Sequence, residues 1–406
     1  MRKSGHKNEQ PPTKEEIKSN YNFVYRPFLL ALVSLVVLVV PKTVSAAENF
    51  TPTEKSFLAK VMAVVGEQKK IDGNGKEYAV QALKLKGLEG EWKDKEINYN
   101  SQNLSADIIG LPAFKVGDKV VVNRNVDKED RETFYITDYA RTGRLYFLLA
   151  LFFGLVILIG KKQGGKAIIG LVFTFFVLMK FIIPQILDGA NPIMISIIGS
   201  FVILVVSLYL VHGFNAKTSV ALAGTFLSLA FTGILSFVFV QFTRLTGFGD
   251  ESAAFLVNTG QNVLNIKGIL LAGMIIGALG VLDDITISQA SVVEQIYRAN
   301  ANLSPREIYQ RAMKVGVDHV SSIVNTLVLA YAGASLPVLL LFSLDSSLSL
   351  STAQIINNEI IATEIVRTIV GSMGLVVAVP LTSLIAAYFL KNKILRLDSG
   401  AAEHIH

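Results

Sequence analysis

Seven apolar runs constrain this sequence more than any other feature. Each is close to the roughly 20 residues that an α-helix needs to cross a bilayer. Only 17% of the 406 residues are charged, whereas a soluble globular chain carries about 25%. The sequence therefore predicts an α-helical membrane bundle of about seven core spans over residues 145–390, with the lipid bilayer as its solvent. The runs cover residues 145–160, 167–187, 192–211, 218–240, 268–285, 320–342 and 368–390.

The basic residues lie at the ends of these runs and indicate an orientation. The loops between the runs fall into two alternating sets. One set contains only Arg244, Lys267 and Arg367 as basic residues, and the other is much more basic. The positive-inside rule therefore places the more basic set of loops, and both chain termini, in the cytoplasm. Because this placement accounts for the net charge of +6, no nucleic-acid partner is expected. The more basic set contains Lys161, Lys162, Lys166, Lys217, Arg298, Arg306, Arg311, Lys314, Lys391, Lys393 and Arg396.

The N-terminal region combines a polar tail with one further apolar run. Residues 1–26 are polar and basic, which predicts a disordered cytoplasmic tail. The run Phe28–Val40 follows, and residues 44–46 (Val-Ser-Ala) are similar to a signal-peptide cleavage site. Residues 27–46 are therefore a signal peptide, which we favour, or an uncleaved anchor helix. Either alternative places the next segment outside the cytoplasm. At the other end, residues 391–406 are predicted to be a cytoplasmic tail.

Residues 48–140 have a different pattern from the rest of the chain. Short β-branched, aromatic or alternating segments occur at 78–86, 119–123 and 134–137, and turn signals separate them. Five or so strands of this kind predict a small extracytoplasmic β-rich domain, either a barrel or a sandwich. Trp92, the only tryptophan, is assigned to the core of this domain rather than to a ligand platform.

Several kinds of chemistry have no support in the sequence. The chain contains no cysteine, which excludes disulfides, thiolate metal sites and thiol nucleophiles. It has no phosphate-binding loop of the Gly-x4-Gly-Lys-Ser/Thr type, and no HExxH or GxSxG motif. We therefore expect no enzymatic activity, no ATPase, no bound metal and no cofactor.

Ionisable residues inside the apolar runs are costly in a bilayer and therefore mark candidate functional positions. Asp283 and Asp284 stand at the cytoplasmic end of the run 268–285. On a continuous helix Asp284 shares a face with Ser288 and Ser291, and such an oxygen-rich face suits a hard cation or a proton relay. The alternative is that one aspartate caps a helix beginning after it.

Five further polar residues are candidates. His319, at a helix entrance, is either an interfacial residue or a proton carrier. Asn325 must find a hydrogen-bond partner within the bundle. Lys180 either extends to the outer interface or pairs with Glu364 across the bundle. Glu364 and Arg367 could instead form an ion pair with each other, since they are three residues apart on a helix.

Other patterns concern packing rather than chemistry. Small residues at helical spacing in two runs predict close helix contacts in preference to a pore lining. Residues 286–318 predict a cytoplasmic helical hairpin, because Ser304-Pro305-Arg306-Glu307 is a strong helix-start signal. The small residues are Gly224, Ser228, Thr232 and Ser236 in the run 218–240, and Gly273 and Gly277 in the run 268–285.

Three segments resemble the YibE/F-like family of multi-pass bacterial membrane proteins. They are residues 277–294 (GALGVLDDITISQASVVE), 315–337 (VGVDHVSSIVNTLVLAYAGASLP) and 358–380 (NEIIATEIVRTIVGSMGLVVAVP). The resemblance covers most of residues 130–390 and keeps the segments in the same order. It implies a polytopic protein of the bacterial cytoplasmic membrane, commonly described as a permease, and names no substrate.

These observations predict a permease for a small solute or ion that is not itself an ATPase. The alternative is a membrane assembly or sensory protein, in which the outer domain or the cytoplasmic hairpin binds a protein partner. A polar cavity that reaches the middle of the membrane would favour the permease. The predicted path is lined by Asp283, Asp284, His319 and Asn325 in its inner half and by Lys180, Glu364 and Arg367 in its outer half.

Overall fold

The computed structural model describes residues 55–71, 77–101, 113–126, 132–249, 253, 264–344 and 351–402. The chain divides into two compact units, which meet in sequence at Lys161. The predicted tail 1–26 and the signal or anchor segment 27–46 lie outside the described residues.

The first unit contains a five-stranded antiparallel sheet that forms a β half-barrel. Alternate residues of the central strands point into one core, where Leu83, Leu85 and Val120 are at most 1% exposed. The β-rich domain predicted from residues 48–140 is therefore confirmed for the residues described. The strands are β1 Lys55–Ile71, β2 Glu77–Gly87, β3 Glu96–Asn100, β4 Lys119–Val126 and β5 Glu132–Tyr139, in the order β3-β2-β1-β4-β5.

Trp92 packs against this core, as predicted. Its ring stacks on Phe57 with 5.8 Å between the ring centroids and meets the ring of Phe134 edge-on at 4.9 Å. Aromatic contacts of this geometry stabilise a core beyond the apolar area that they bury.

Six helices among the described residues are long and apolar enough to cross a membrane. The first runs from Thr142 to Leu187 and comprises α1, a π-helical turn at Leu178–Ile182, and α2. The helices are α1 Thr142–Val177, α2 Ile183–Leu187, α3 Pro192–His212, α4 Ala216–Phe242, α5 Ile266–Ala299, α6 Pro305–Ala334, α7 Leu336–Leu344, α8 Thr352–Asn357 and α9 Glu359–Ala402.

The count of six takes two predicted runs, 145–160 and 167–187, as parts of one stretch, Thr142–Leu187. This stretch consists of two helical segments that meet at Lys161, where the backbone leaves helical geometry with φ of 48° and ψ of −128°. The predicted break between the two runs is therefore present in the structure. At the C-terminus, α9 continues to Ala402 through most of the predicted tail.

Side-chain caps determine where the core helices begin. The Asn191, Asn215 and Asn265 side chains accept hydrogen bonds from the first backbone N–H groups of α3, α4 and α5. At α6 the predicted capping box is present: Ser304 N–H donates to Glu307 Oε2 (2.8 Å), and Glu307 N–H donates to Ser304 Oγ (3.2 Å). Helix therefore lies on both sides of a short break in the predicted hairpin, whose cytoplasmic location stays a prediction.

The centre of the bundle is formed by α4, α5 and α9, with α3 against α5 and with α6 against α5 and α9. Small residues allow α4 and α9 to approach closely. A Cβ atom added at Gly224 would lie 2.4 Å from Thr382 Oγ1, and one at Gly374 would lie 1.9 Å from Thr232 Oγ1. The packing role predicted for the small residues of α4 is confirmed.

The same prediction is wrong for the small residues of α5. A Cβ atom added at Gly273 would have no atom of the described residues within 4 Å, and one at Gly277 would meet only the Tyr331 hydroxyl at 3.6 Å. These glycines lie on an exposed face of the helix. Spacing alone cannot distinguish an exposed small-residue face from a packed one.

Candidate functional site

Asp283 and Asp284 lie in the interior of α5. The helix is continuous from Ile266 to Ala299 and is capped by Asn265, so the alternative that an aspartate caps a helix start is wrong. Adjacent residues point about 100° apart on a helix, and here the two differ in exposure. Asp284 is exposed, whereas Asp283 is only partly accessible and its Oδ1 atom is buried without a hydrogen-bond partner among the described residues.

Close to Asp283, four fully buried polar side chains connect the helices, and we call them the polar layer. Thr225 of α4 and Thr286 of α5 are joined by a hydrogen bond of 2.5 Å between their hydroxyl groups. Gln289 Nε2 donates to Ser383 Oγ of α9 at 2.7 Å, and to the backbone oxygen of Ala312 in α6 at 3.0 Å. The polar layer consists of Thr225, Thr286, Gln289 and Ser383, each 0% exposed.

Several buried oxygens in and beside the polar layer lack a partner. Gln289 Oε1, Ser228 Oγ and Thr382 Oγ1 make no hydrogen bond with the described residues. Buried polar atoms in proteins are almost always satisfied by protein, ordered water or an ion. The centre of the bundle thus presents oxygen atoms that can still accept a hydrogen bond or bind a cation. Such oxygens are the ligands that a hard cation prefers, and a water molecule could also donate to them.

The polar layer was not among the residues predicted from the sequence. Its members are uncharged, and their hydrogen bonds join residues 61 and 94 positions apart. The only available signal was the spacing of Thr286 and Gln289, which places both on the face of α5 that also carries the buried Leu282 and Val293. A glutamine on an apolar face would have pointed to a hydrogen-bond partner on a neighbouring helix.

The predicted face of Asp284, Ser288 and Ser291 exists, because α5 is continuous. It lies on the outside of the bundle: Asp284 and Ser288 are exposed, and Ser291 Oγ donates to the backbone oxygen of Ile287 at 2.8 Å. The His212 ring at the end of α3 is within electrostatic range of Asp284.

His319 and Asn325 lie on α6 in different surroundings. His319 is partly buried, and its Nδ1 atom has no hydrogen-bond partner among the described residues. Asn325 is exposed and makes no hydrogen bond with the residues that the structure describes. The expected partner for Asn325 inside the bundle is therefore not found there.

The three residues assigned to the outer half do not form a network. Glu364 and Arg367 make an ion pair along α9, which is the simpler of the two predictions. Lys180 is exposed on the π-helical turn after α1. The pairing of Lys180 with Glu364 across the bundle is not formed.

Among the grooves that the described residues of the bundle form, two well-defined ones are mainly apolar. One of about 330 Å³ lies between α3, α4 and α5 and is lined by residues such as Ile197, Phe226 and Leu271. The other, of about 310 Å³, lies between α6, α7 and α9, and Glu364 is the single charged residue of its lining. Neither groove includes a residue of the polar layer, so neither is the polar cavity that would favour a permease.

Comparison with known proteins gave one match. The family model described as YibE/F-like protein matches residues 148–392, which is more than half of the chain and confirms the resemblance seen in the sequence. No curated protein and no solved structure matches. The matched range contains Asp283, His319 and every member of the polar layer.

Proposed function

The chain belongs to the YibE/F-like family, and on that premise we propose that it is a multi-pass membrane permease for a small cation. Six apolar helices and the family match support a membrane protein. The proposed location is the cytoplasmic membrane of a bacterium, with the basic loops in the cytoplasm and the β domain outside. No ATP-binding loop occurs in the sequence, so movement would be passive, coupled to a second gradient, or driven by a separate partner.

One observation carries the proposal, the buried carboxyl oxygen of Asp283. This oxygen has no hydrogen-bond partner among the described residues, and it lies in a helix whose neighbouring positions Leu282 and Ile285 are each 1% exposed. An unpaired carboxylate in such surroundings is strongly disfavoured. The group is therefore expected to hold a proton or to bind a cation, and a permease can use the exchange between these two states.

The polar layer supplies neutral ligands beside this carboxyl group. Thr286 Oγ1 donates to the backbone oxygen of Asp283 at 3.1 Å, so Asp283 lies one helical turn from the layer. The side-chain oxygens of Gln289 and Thr382 are acceptors without partners. One carboxylate and several neutral oxygens are a typical set for a hard cation, and neutral ligands also allow it to leave.

The test is cation flux into liposomes that contain the purified full-length protein. Gradients of Na⁺, K⁺, Mg²⁺ and H⁺ are imposed one at a time and followed with ion-sensitive dyes, with protein-free liposomes as the baseline. We expect flux of at least one cation, reduced about tenfold or more in Asp283→Asn because a charged ligand is lost. The matched control Asp188→Asn changes an exposed aspartate and should leave flux unchanged.

Two results would contradict the proposal. The first is wild-type protein that is folded in the liposomes and moves none of the four cations. The second is a protein-dependent flux that Asp283→Asn leaves intact.

A second function is favoured by the surface of the β domain, which fits an assembly or sensory protein. From Ala63 to Ile71, β1 pairs with β2 alone among the described strands, and a two-stranded ribbon is marginally stable in water. Val65 and Ile71 are 63% and 67% exposed on this part of the strand, and Met62 just before it is 48% exposed. Exposed apolar side chains of this kind mark protein contacts. A photo-crosslinker placed at Val65 in cells should yield one discrete adduct if this function is correct.

A further inference from the structure

Helix α6 is the least apolar of the six candidate spans and also the least buried. Only 6% of its spanning window is buried, against 22% or more for each of the others. In a bilayer the opposite arrangement is expected, because the most exposed helix faces lipid and should be the most apolar.

The polar residues of α6 lie along one exposed face. Lys314, Asp318, Ser321 and Asn325 follow one another at helical spacing and are all exposed. The Ser321 hydroxyl is satisfied, since it donates to the backbone oxygen of Val317 at 2.9 Å. The amide of Asn325 has no hydrogen bond with the residues that the structure describes.

The contacts of α6 with α5 show that Asn325 lies well inside the bundle region. At one level Gln289 of α5 donates to the backbone oxygen of Ala312, and at another Gly277 faces the hydroxyl of Tyr331. Asn325 lies between these levels. Lipid tails offer no partner to a side-chain amide, so this face needs another protein surface.

We infer that α6 pairs with α6 of a second copy of this chain through the face centred on Asn325. Copies inserted with the same orientation are related by a twofold axis along the membrane normal, which brings equivalent levels of the two helices together. An amide both donates and accepts, so Asn325 can bond to the partner's Asn325. Asp318 of each copy lies one turn along the helix from Lys314 of the other, a distance that the long Lys314 side chain can span, which gives two equivalent ion pairs.

Another part of the chain fits this face less well. The apolar run Phe28–Val40 contains a single polar residue, Ser34, which cannot match a face with an amide and two charges.

The chain contains no cysteine, which allows a direct test by disulfide cross-linking. Ser321→Cys, which leaves the Asn325 amide in place, should form a covalent dimer on mild oxidation in native membranes. The matched control is Ile234→Cys, an exposed residue (64%) of another spanning helix, which should remain monomeric. Equal cross-linking of Ile234→Cys would indicate random collision and overturn the inference, as would a monomeric Ser321→Cys.

The mass of the assembled protein gives a second measurement that does not depend on cysteine. Full-length wild type in lipid nanodiscs should have the mass of two chains, and Asn325→Leu should weaken the dimer at least tenfold, while Asn325→Gln retains it. A monomeric mass for the wild type, or a complex with a different protein in its place, refutes the pairing. These measurements of dimer formation do not depend on cation flux. Failure of the pairing can therefore be distinguished from failure of the proposed permease function.

Discussion

Replacement of Gly374 by Ala tests the close contact between α4 and α9. The new Cβ atom would lie 1.9 Å from Thr232 Oγ1, more than 1 Å nearer than real Cβ contacts allow. Thr232 cannot simply rotate away, because its hydroxyl donates to the backbone oxygen of Ser228 at 2.8 Å. Overpacking costs about 1–3 kcal/mol, and the lost hydrogen bond about 0.6 kcal/mol. The higher helix propensity of Ala offsets about 1 kcal/mol of this, so we expect a net destabilisation of about 0.6–2.6 kcal/mol.

Gly273→Ala is the matched control, because a Cβ atom there meets no described atom within 4 Å. It should stabilise the protein by about 0.5–1 kcal/mol through helix propensity alone. Resistance to unfolding in mixed micelles, measured as a titration with a denaturing detergent, should therefore shift in opposite directions for the two variants. Equal midpoints, or a lower midpoint for the Gly273 variant, would refute the packing argument.

The remaining predictions concern the two aspartates and the orientation of the chain. Asp283→Asn should impair cation flux more than Asp284→Asn, because of the two residues Asp283 has the buried carboxyl oxygen. Both variants should express and fold normally. A larger loss of flux in Asp284→Asn would place the site on the exposed face of α5. Single-cysteine variants test the proposed topology: one at Asn100 should react with an impermeant maleimide from outside intact cells, while those at Gly164 and Asn302 should react only after the membrane is opened. Labelling of Gly164 from outside would show that the chain does not reverse near Lys161, and would contradict the positive-inside assignment.

Local features of this fold were predictable from the sequence because their causes are local. The Ser304–Glu307 capping box is set by residues three apart. The small-residue face of α4 follows from a four-residue spacing. The alternation of apolar and polar residues along β2 and β4 indicates a sheet that is buried on one face. Charge placement likewise predicted a break between the runs 145–160 and 167–187, and the backbone leaves helical geometry at Lys161.

The candidate site was predicted only in part, because the spacing of residues along the sequence does not show which side chains are buried or which distant residues they contact. Sequence patterns identified Asp283 but could not show that its neighbour Asp284 is exposed. They could not find Gln289, whose partner Ser383 lies 94 residues away. They also expected a partner for Asn325 inside its own bundle, which the described residues do not provide.

The unbroken length of α5 has a mechanical consequence. A helix of 34 residues is about 51 Å long, well beyond the roughly 30 Å of a hydrocarbon core, and Asp283 stands near its midpoint. If α5 tilts as a rigid rod about this point, a rotation of about 10° displaces each end by about 4 Å in opposite directions. A tilt set by gain or loss of charge at Asp283 would therefore reach both ends of α5 at once, with no change in the backbone between them.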